Sequence, residues 1–364
     1  MITRDPRAVW RVTHEDRGVL DSLDLQLLNA LQIAPRASWS TLAPVLRTDP
    51  STLSRRWTRL TREGLAWTTA YVLPERMQAH SPTGQRLRAS SALVEIRCEA
   101  GRRSQVTDAI AREAAVMTIE CTSGPRELAV TIAASTPGQI DEYVSTAISV
   151  LPGVTATSTH FIRRIYREGS EYELDMLSAS QRHALDETVR SGSGVGPTPP
   201  SELTEQVIRA LQPDVRRPAA EVADEIGVSV PLARRTIARL AQSDWVRMRA
   251  DFAHEVVGWH ASVVLWLVVP PHALDSVAAE LSRNPSVRLC ASTLGPANLA
   301  VTLWLHELDE LDGIEVRLRH LFPDVRVSDR WMLPRVVKRL GTLFDAQGRR
   351  SGYVSLLLPR VTPG

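Results

Sequence analysis

Apolar residues recur at helical spacing from Leu20 onward: Leu23, Leu27, Leu28 and Leu31, then Leu42, Val45 and Leu46, then Leu53, Trp57 and Leu60. Turn-forming residues separate the sets at Ala34–Ser38 and Arg47–Pro50. The pattern predicts three short helices with brief breaks, the outline of a helix-turn-helix. Pro44 falls inside the second helix and predicts a local kink, because it lacks the N–H a helix interior needs. After Glu63–Leu65 the stretch AWTTAYV alternates and reads as a strand or wing. From Ser91 the period changes: SALVEIRC is a strand, Gln105 to Ala114 an amphipathic helix, and MTIECTS and ELAVTIAA are strands around a Gly124-Pro125 turn. Pro137 to Leu151 is a second helix with proline in its first turn, and VTATSTHFIRRIY closes the unit as a strand. The order βαββαβ is the ferredoxin-like arrangement.

The pattern then repeats. At a shift of 180 residues, DLQLLNALQ (Asp24 to Gln32) falls on TEQVIRALQ, and STLAPVLRTDPSTLSRRWTRL (Ser40 to Leu60) falls without a gap on AEVADEIGVSVPLARRTIARL. At a shift of 171, GPRELAVT (Gly124 to Thr131) meets GPANLAVT, and LPGV (Leu151 to Val154) meets FPDV. An indel near Ser81–Ser90 accounts for the different shifts. A repeat of this length decides architecture before local signals do. The expected fold is α+β, with two winged helix-turn-helix domains and two ferredoxin-like βαββαβ domains in tandem. The expected boundaries are an N-terminal tail over 1–19, a first helix-turn-helix over 20–73 and a first βαββαβ domain over 90–167. A linker over 168–201 follows, its end rich in Gly, Pro and Ser, with a short helix within MLSASQRHALDETV. A second helix-turn-helix over 202–250, a second βαββαβ domain over 261–338 and a tail over 339–364 with an extra strand at GYVSLLL complete the chain.

Composition changes this picture little. At 364 residues the chain has room for two to four domains. A net charge of +2 gives no whole-molecule attraction to nucleic acid, so any such attraction must be local. Lys338 is the sole lysine; arginine carries almost all the positive charge. Cys98, Cys121 and Cys290 are odd in number and sit in apolar runs, which suggests reduced, buried thiols and a cytoplasmic location. The longest apolar run, Ala261 to Pro271, is about half of what a bilayer span needs, so no membrane partner is expected. The histidines and cysteines show no metal-ligand spacing, and no phosphate loop or nucleophile elbow is present, so no metal, cofactor or catalytic residue is expected.

Local charge points to the third helix of each unit. Leu53, Trp57 and Leu60 form its anchoring face, which turns Ser51, Thr52, Ser54, Arg55, Arg56, Arg59 and Arg62 outward. Between Arg47 and Glu63, five arginines face two acids. Arginine reads guanine edges or clamps phosphate, and serine or threonine reads or positions. In the second unit Ala233, Ile237 and Leu240 anchor, leaving Arg234, Arg235, Thr236 and Arg239 as the corresponding double-stranded-DNA contacts.

LDSLDLQLLNALQ…STLSRRWTRLTREGL followed by a βαββαβ unit resembles the Lrp/AsnC (feast/famine) family of bacterial transcription regulators. The resemblance covers Leu20 to Arg167 and recurs more loosely over Glu202 to Lys338, a tandem form. It implies a DNA-binding regulator whose βαββαβ domains associate into homo-oligomers and bind a small effector, often an amino acid, near the turn between their second and third strands. Here that turn supplies Ser123, Gly124 and Pro125 in one unit and Gly295, Pro296 and Asn298 in the other. Pro125 and Pro296 stand where amino-acid-binding members often carry an acid. His254 in DFAHEVVGW resembles a second lineage on this fold, the sirohaem decarboxylases, which use basic residues to hold porphyrin carboxylates. The alternative is therefore a decarboxylase-like enzyme or tetrapyrrole-binding protein. Retention of basic recognition helices sets the expectation that the chain is not an enzyme.

Overall fold

The computed structural model describes residues 20–76, 78–80, 86–191 and 200–358. The tail expected over 1–19, the linker end at 192–199 and part of the indel region at 81–85 lie outside the described residues.

Three helices open the chain: α1 (Ser22–Ile33), α2 (Trp39–Val45) and α3 (Pro50–Arg62). Each starts where a side chain satisfies its unpaired N-terminal amides. Asp21 and Asp24 form a capping box on α1, Ser38 caps α2, and Asp49 caps α3 with Pro50 in the first turn. Pro44 is accommodated near the C-terminal end of α2. Strand β1 (Ala66–Val72) follows, then a short hairpin of β2 (Gln78–His80) and β3 (Arg86–Arg88). The first sheet domain comprises β4 (Ser90–Cys98), α4 (Arg103–Ala111), β5 (Val116–Cys121), β6 (Leu128–Ala134), α5 (Pro137–Tyr143) with a π-helical continuation over Val144–Ile148, and β7 (Val154–Arg167). The linker contains α6 (Ala179–Ser191), whose Leu185 is fully buried in the core of the first helices. The second half consists of α7 (Glu202–Leu211), α8 (Ala219–Ile226), α9 (Val230–Leu240) and β8 (Val246–Phe252). It continues through β9 (Ala261–Val268), α10 (Leu274–Ser282), β10 (Val287–Thr293), β11 (Leu299–Leu305), α11 (Glu310–Leu321) and β12 (Arg326–Met332). β13 (Arg335–Arg339), at the expected end of the second sheet domain, and β14 (Thr342–Phe344) and β15 (Arg350–Tyr353) in the C-terminal tail follow, more strand than the sequence predicts.

Neither β1 nor β8 stands free as a wing. They pair antiparallel, and all seven β1 positions are buried. Each strand packs under the other half's helices: Ala250 and Phe252 of β8 enter the core of α1–α3, while Ala70 and Val72 of β1 enter that of α7–α9. At the centre of the ladder Thr69 lies opposite Arg249, a residue 180 positions away. The helical units also grip one another directly. Arg216 Nη1 donates to the carbonyls of Pro35 (2.8 Å) and Ala37 (3.0 Å) and lies over the Trp39 ring, and Arg36 Nη2 donates to the Arg217 carbonyl (3.2 Å).

The remaining long strands form one eleven-stranded sheet in the order β12-β9-β11-β10-β7-β4-β6-β5-β13-β14-β15. Within it, β7-β4-β6-β5 and β12-β9-β11-β10 share one internal order, fourth strand beside first, third and second. The two quartets exchange strands. β7 pairs with β4 through Phe161 and with β10 from Ile162, and beyond Pro334 the chain of β12 continues as β13 beside β5. Strand alternation sets the faces. Ala92, Val94 and Ile96 of β4 pack under α4 and α5, while Leu93 joins Trp266, Ala300, Trp331 and Leu333 in a cluster shared by both quartets.

Candidate DNA-binding and effector sites

On α3 the anchoring residues are as expected: Leu53, Trp57 and Leu60 are buried. The outward set divides. Arg55 is exposed and Arg62 mostly so. Ser51 is exposed and Thr52 and Ser54 half-buried, but both N-terminal hydroxyls serve the cap: Ser51 Oγ donates to Asp49 at 2.5 Å and Thr52 Oγ1 at 2.7 Å. Those bonds, with the Thr52 amide, hold the Asp49 carboxyl well below the usual carboxylate range. Arg56 folds back onto α1, its Nη1 reaching Asp21 (2.6 Å) and Asp24 (2.9 Å). Arg59 binds the same Asp24 and approaches Glu63 at 3.5 Å. Asp24 is only 1% exposed, so these two guanidiniums compensate a carboxylate removed from water.

The second unit explains the division. Under the 180-residue shift, Asp24 and Arg56 correspond to Thr204 and Thr236, and both threonines are buried. The matching positions of the second half thus carry two small buried hydroxyls where the first carries an acid and a base. Thr236 therefore does not project from α9, a correction to the sequence expectation. Arg235, equivalent to Arg55, is exposed, as is Arg234, while Arg239 is half-buried. Sequence reasoning missed Asp24 as the anchor. The Asp21-x-x-Asp24 capping spacing was the available signal, and it gave no hint of the arginines 32 and 35 residues away.

The two glycine-proline turns are fastened to the opposite quartet. The Ser123 amide donates to the Met332 carbonyl (2.9 Å) and Ser123 Oγ accepts from the Met332 amide (3.0 Å). Likewise the Leu294 amide donates to the Phe161 carbonyl (2.9 Å). Gly124 adopts a left-handed φ of 89°, and a Cβ at Gly295 would lie 3.2 Å from His160 Nδ1, so both glycines have local reasons. Pro125 and Pro296 lie within these turns. The Asn298 side chain bridges the Val269 amide and carbonyl at 2.9 and 2.8 Å. Nearby Arg126 binds Glu95 (2.6 Å) and Asp329 (2.9 Å) and covers the Trp331 ring, and Glu95 also meets His160 Nε2 at 2.8 Å. Of the residues expected to hold an effector, Ser123 thus joins the two halves, while Asn298 braces its own. Under the 171-residue shift, Glu95, Arg126 and His160 correspond to Trp266, Ala297 and Trp331. One half presents a carboxylate, a guanidinium and an imidazole, the other an alanine and two indoles.

A second polar network ties the paired strands to the sheet. Asp251 receives Arg249 (2.7 Å) and Arg288 (3.1 Å), and all three side chains are at least nine-tenths buried. Arg288 Nη1 also donates to the Gly169 carbonyl (2.9 Å), and Tyr71 donates to Glu168 at 2.5 Å. Burial would lower the Arg249 guanidinium, but Asp251, Tyr71 and Glu168 more than offset this and raise it above its usual value. His254 stacks on Trp304 at a ring separation of 5.0 Å. Burial first, then Arg339 and His260, pushes it from 6.5 to about 3, so it is neutral near pH 7. The unfolded chain protonates this histidine freely and the folded one resists. Its stabilising contribution is therefore complete above about pH 6.5 and is lost as pH falls from there towards 3, at up to about 1.4 kcal/mol per unit. Urea unfolding between pH 7 and 4 should show His254→Phe with a shallower acid slope than the parent; equal slopes would contradict this.

Cys98, Cys121 and Cys290 are free and buried, and burial pushes the Cys98 thiol up to about 11 and Cys290 to about 12. Among the described residues, no group of three His, Cys, Asp or Glu side chains is placed to hold a metal ion, and no helix is long and apolar enough to cross a membrane.

The AsnC-type helix-turn-helix domain matches residues 20–61, and the Lrp/AsnC ligand binding domain matches residues 91–172. None of the curated proteins matches the chain in sequence. Among solved structures, the siroheme decarboxylase NirDL superposes with a TM-score of 0.55 at 14% identity, covering 90% of this chain and 96% of that one. The same enzyme in co-complex with an iron-uroporphyrin III analogue gives 0.55 at 14%, covering 87% and 92%. AsnC of E. coli gives 0.32 at 16%, covering 40% of this chain and 93% of its own. The fold is thus shared with an enzyme over nearly the whole chain, which overturns the expectation that the chain is not an enzyme. Retention of basic helices was its ground, and Arg56 and Arg59 on those helices are spent on α1. The chain carries an AsnC-type helix-turn-helix domain followed by an Lrp/AsnC ligand-binding domain.

Proposed function

We propose that this protein is a sequence-specific DNA-binding transcription regulator formed from two fused Lrp/AsnC-type units that pair within one chain, each offering a different reading helix. The observation that carries the reading is the pair Arg55 and Arg235. They occupy equivalent positions of α3 and α9 and are exposed, while the neighbouring equivalent pair, Arg56 and Thr236, is committed to packing. The shared internal order of the two strand quartets supports the fusion. The β1–β8 register supports internal pairing, because a two-fold through Thr69 and Arg249 relates residues 180 apart and so carries α3 onto α9. Contacts from Arg36 and Arg216 join the two helical units directly, which supports a fixed spacing of the two helices. DNA half-sites should lie one helical turn or a multiple apart, and should differ because Ser51-Thr52 faces Pro231-Leu232 across that axis. The test is titration of duplex from upstream of the protein's own gene at several salt concentrations. Affinity should fall steeply with salt as arginines displace condensed counterions. Binding that is absent, or insensitive to salt, would refute the reading.

A second reading rests on the fold shared with siroheme decarboxylase over 90% of the chain: tetrapyrrole binding or turnover on this scaffold. Titration with sirohaem or haem tests it. A saturable Soret band supports it, and an unperturbed pigment spectrum dismisses it.

A further inference from the structure

A cavity of about 390 Å3, partly open to solvent, lies between the C-terminal end of β6, α5 and the C-terminal strap over residues 354–358. Its walls include Ala115, Ala134, Leu357 and Leu358, and Ser135, Gln139 and Tyr143 bring polar groups to it. The volume is within the range of small-molecule sites. The helix alongside passes from α to π geometry directly after Tyr143, a distortion found disproportionately at functional sites. The cavity is separate from the glycine-proline turns, whose polar groups are already engaged.

The strap closing this cavity belongs equally to the second helical unit. The Leu357 amide donates to the Ala114 carbonyl at 2.8 Å, holding the strap against the first sheet domain. One residue earlier, Gln212 at the C-terminal end of α7 clamps both sides of Leu356. Its Oε1 accepts from the Leu356 amide at 3.0 Å and its Nε2 donates to the Leu356 carbonyl at 3.3 Å. One residue later, Leu358 is 2% exposed and packs with Val207, Ile208, Leu211 and Trp245 of the α7–α9 core. Gln212 is fully buried, so sliding the strap would strand both ends of its amide, and strap and α7 must move together.

We propose that this cavity is an effector site for a neutral, mainly apolar molecule with one hydrogen-bonding end, and that occupancy is transmitted through the strap and Gln212 to the second DNA-binding head. The proposal deepens the regulator reading and rests on it for its biological meaning. The choice of a neutral ligand follows from the walls: none of the lining residues is charged. Glu113, which engages the hydroxyl of the lining residue Tyr143, would repel a carboxylate. A zwitterionic amino acid would bring its carboxylate out of water here with no cation among the lining residues to pair with it.

The test uses the full-length protein with 1-octanol as probe and octanoate as its charged equivalent in size. Calorimetric titration should show saturable octanol binding, with octanoate weaker by at least about tenfold. Ala134→Leu and Ala115→Leu, at half-buried positions on the cavity wall, should each abolish it while the thermal unfolding midpoint is kept. Hydrogen exchange in the parent should slow on octanol addition at Leu356–Leu358 and also along α7. Absent or unsaturable octanol binding, or binding that survives both filling variants, overturns the site. Protection that stops at the strap and never reaches α7 overturns the coupling. Neither readout uses DNA, so failure here is distinguishable from failure of the regulator reading. Where DNA binding is established, octanol should change the affinity of the parent protein, and Gln212→Met should bind octanol without that change.

Discussion

Asp251→Ala should lower the unfolding free energy by about 3–5 kcal/mol, the usual cost of removing one partner from a buried ion pair. The side chain is 2% exposed and holds two guanidiniums, Arg249 and Arg288, that are 4% and 7% exposed. Without it, two positive charges share an interior in which Arg288 retains the Gly169 carbonyl, and Arg249 retains the influence of Tyr71 and Glu168. Desolvation wins there, because hydrogen bonds to neutral or shared acceptors recover only about 1–3 kcal/mol each. Domains are typically stable by about 5–15 kcal/mol, so a large share of the total is lost. The ion pair joins two parts of the molecule, because β8 carries Asp251 beneath the first helical unit while β10 carries Arg288 in the sheet. Urea denaturation measures the effect, with Asp251→Asn expected to lose nearly as much because charge, not shape, is removed. A loss under about 1 kcal/mol would show that the network is satisfied by other means.

The double variant Arg55→Ala/Arg235→Ala should bind operator DNA more weakly by about 1–3 kcal/mol for each arginine–base interaction removed, with an unfolding midpoint close to the parent's. Both side chains are exposed, so their removal strands no buried partner. Arg56→Ala should behave oppositely: it releases part of the compensation for Asp24 and so lowers stability before it touches DNA affinity. Fluorescence anisotropy paired with thermal melts separates the two classes. If Arg56→Ala weakened DNA binding with no change in melting while the double variant bound normally, the division of α3 into reading and packing arginines would be wrong.

Local signals were legible. The Leu23-Leu27-Leu28-Leu31 spacing marks α1, and the break at Arg47–Pro50 falls where Asp49 caps α3, because cap and periodicity act within a few residues. The βαββαβ order follows from the change of period at Ser91 in the same way. What stayed hidden was set by partners far along the chain. AWTTAYV has the composition of a wing, and it is buried only because β8 arrives 180 residues later. Arg56 reads as an outward, DNA-facing charge, since Asp24 is brought to it by tertiary packing alone. The contacts of the glycine-proline turns with the Met332 and Phe161 main chains were equally hidden, because those partners come from the opposite quartet.

Selection of bound sequences from random duplex DNA by the full-length chain, with the stoichiometry of the selected complex, tests the central claim most directly. The account predicts one chain on a site of two dissimilar half-sites, separated by about 10 base pairs or a multiple, with Arg55→Ala relaxing one half and Arg235→Ala the other. Enrichment of no sequence, or of two identical half-sites each held by a separate chain, would contradict it.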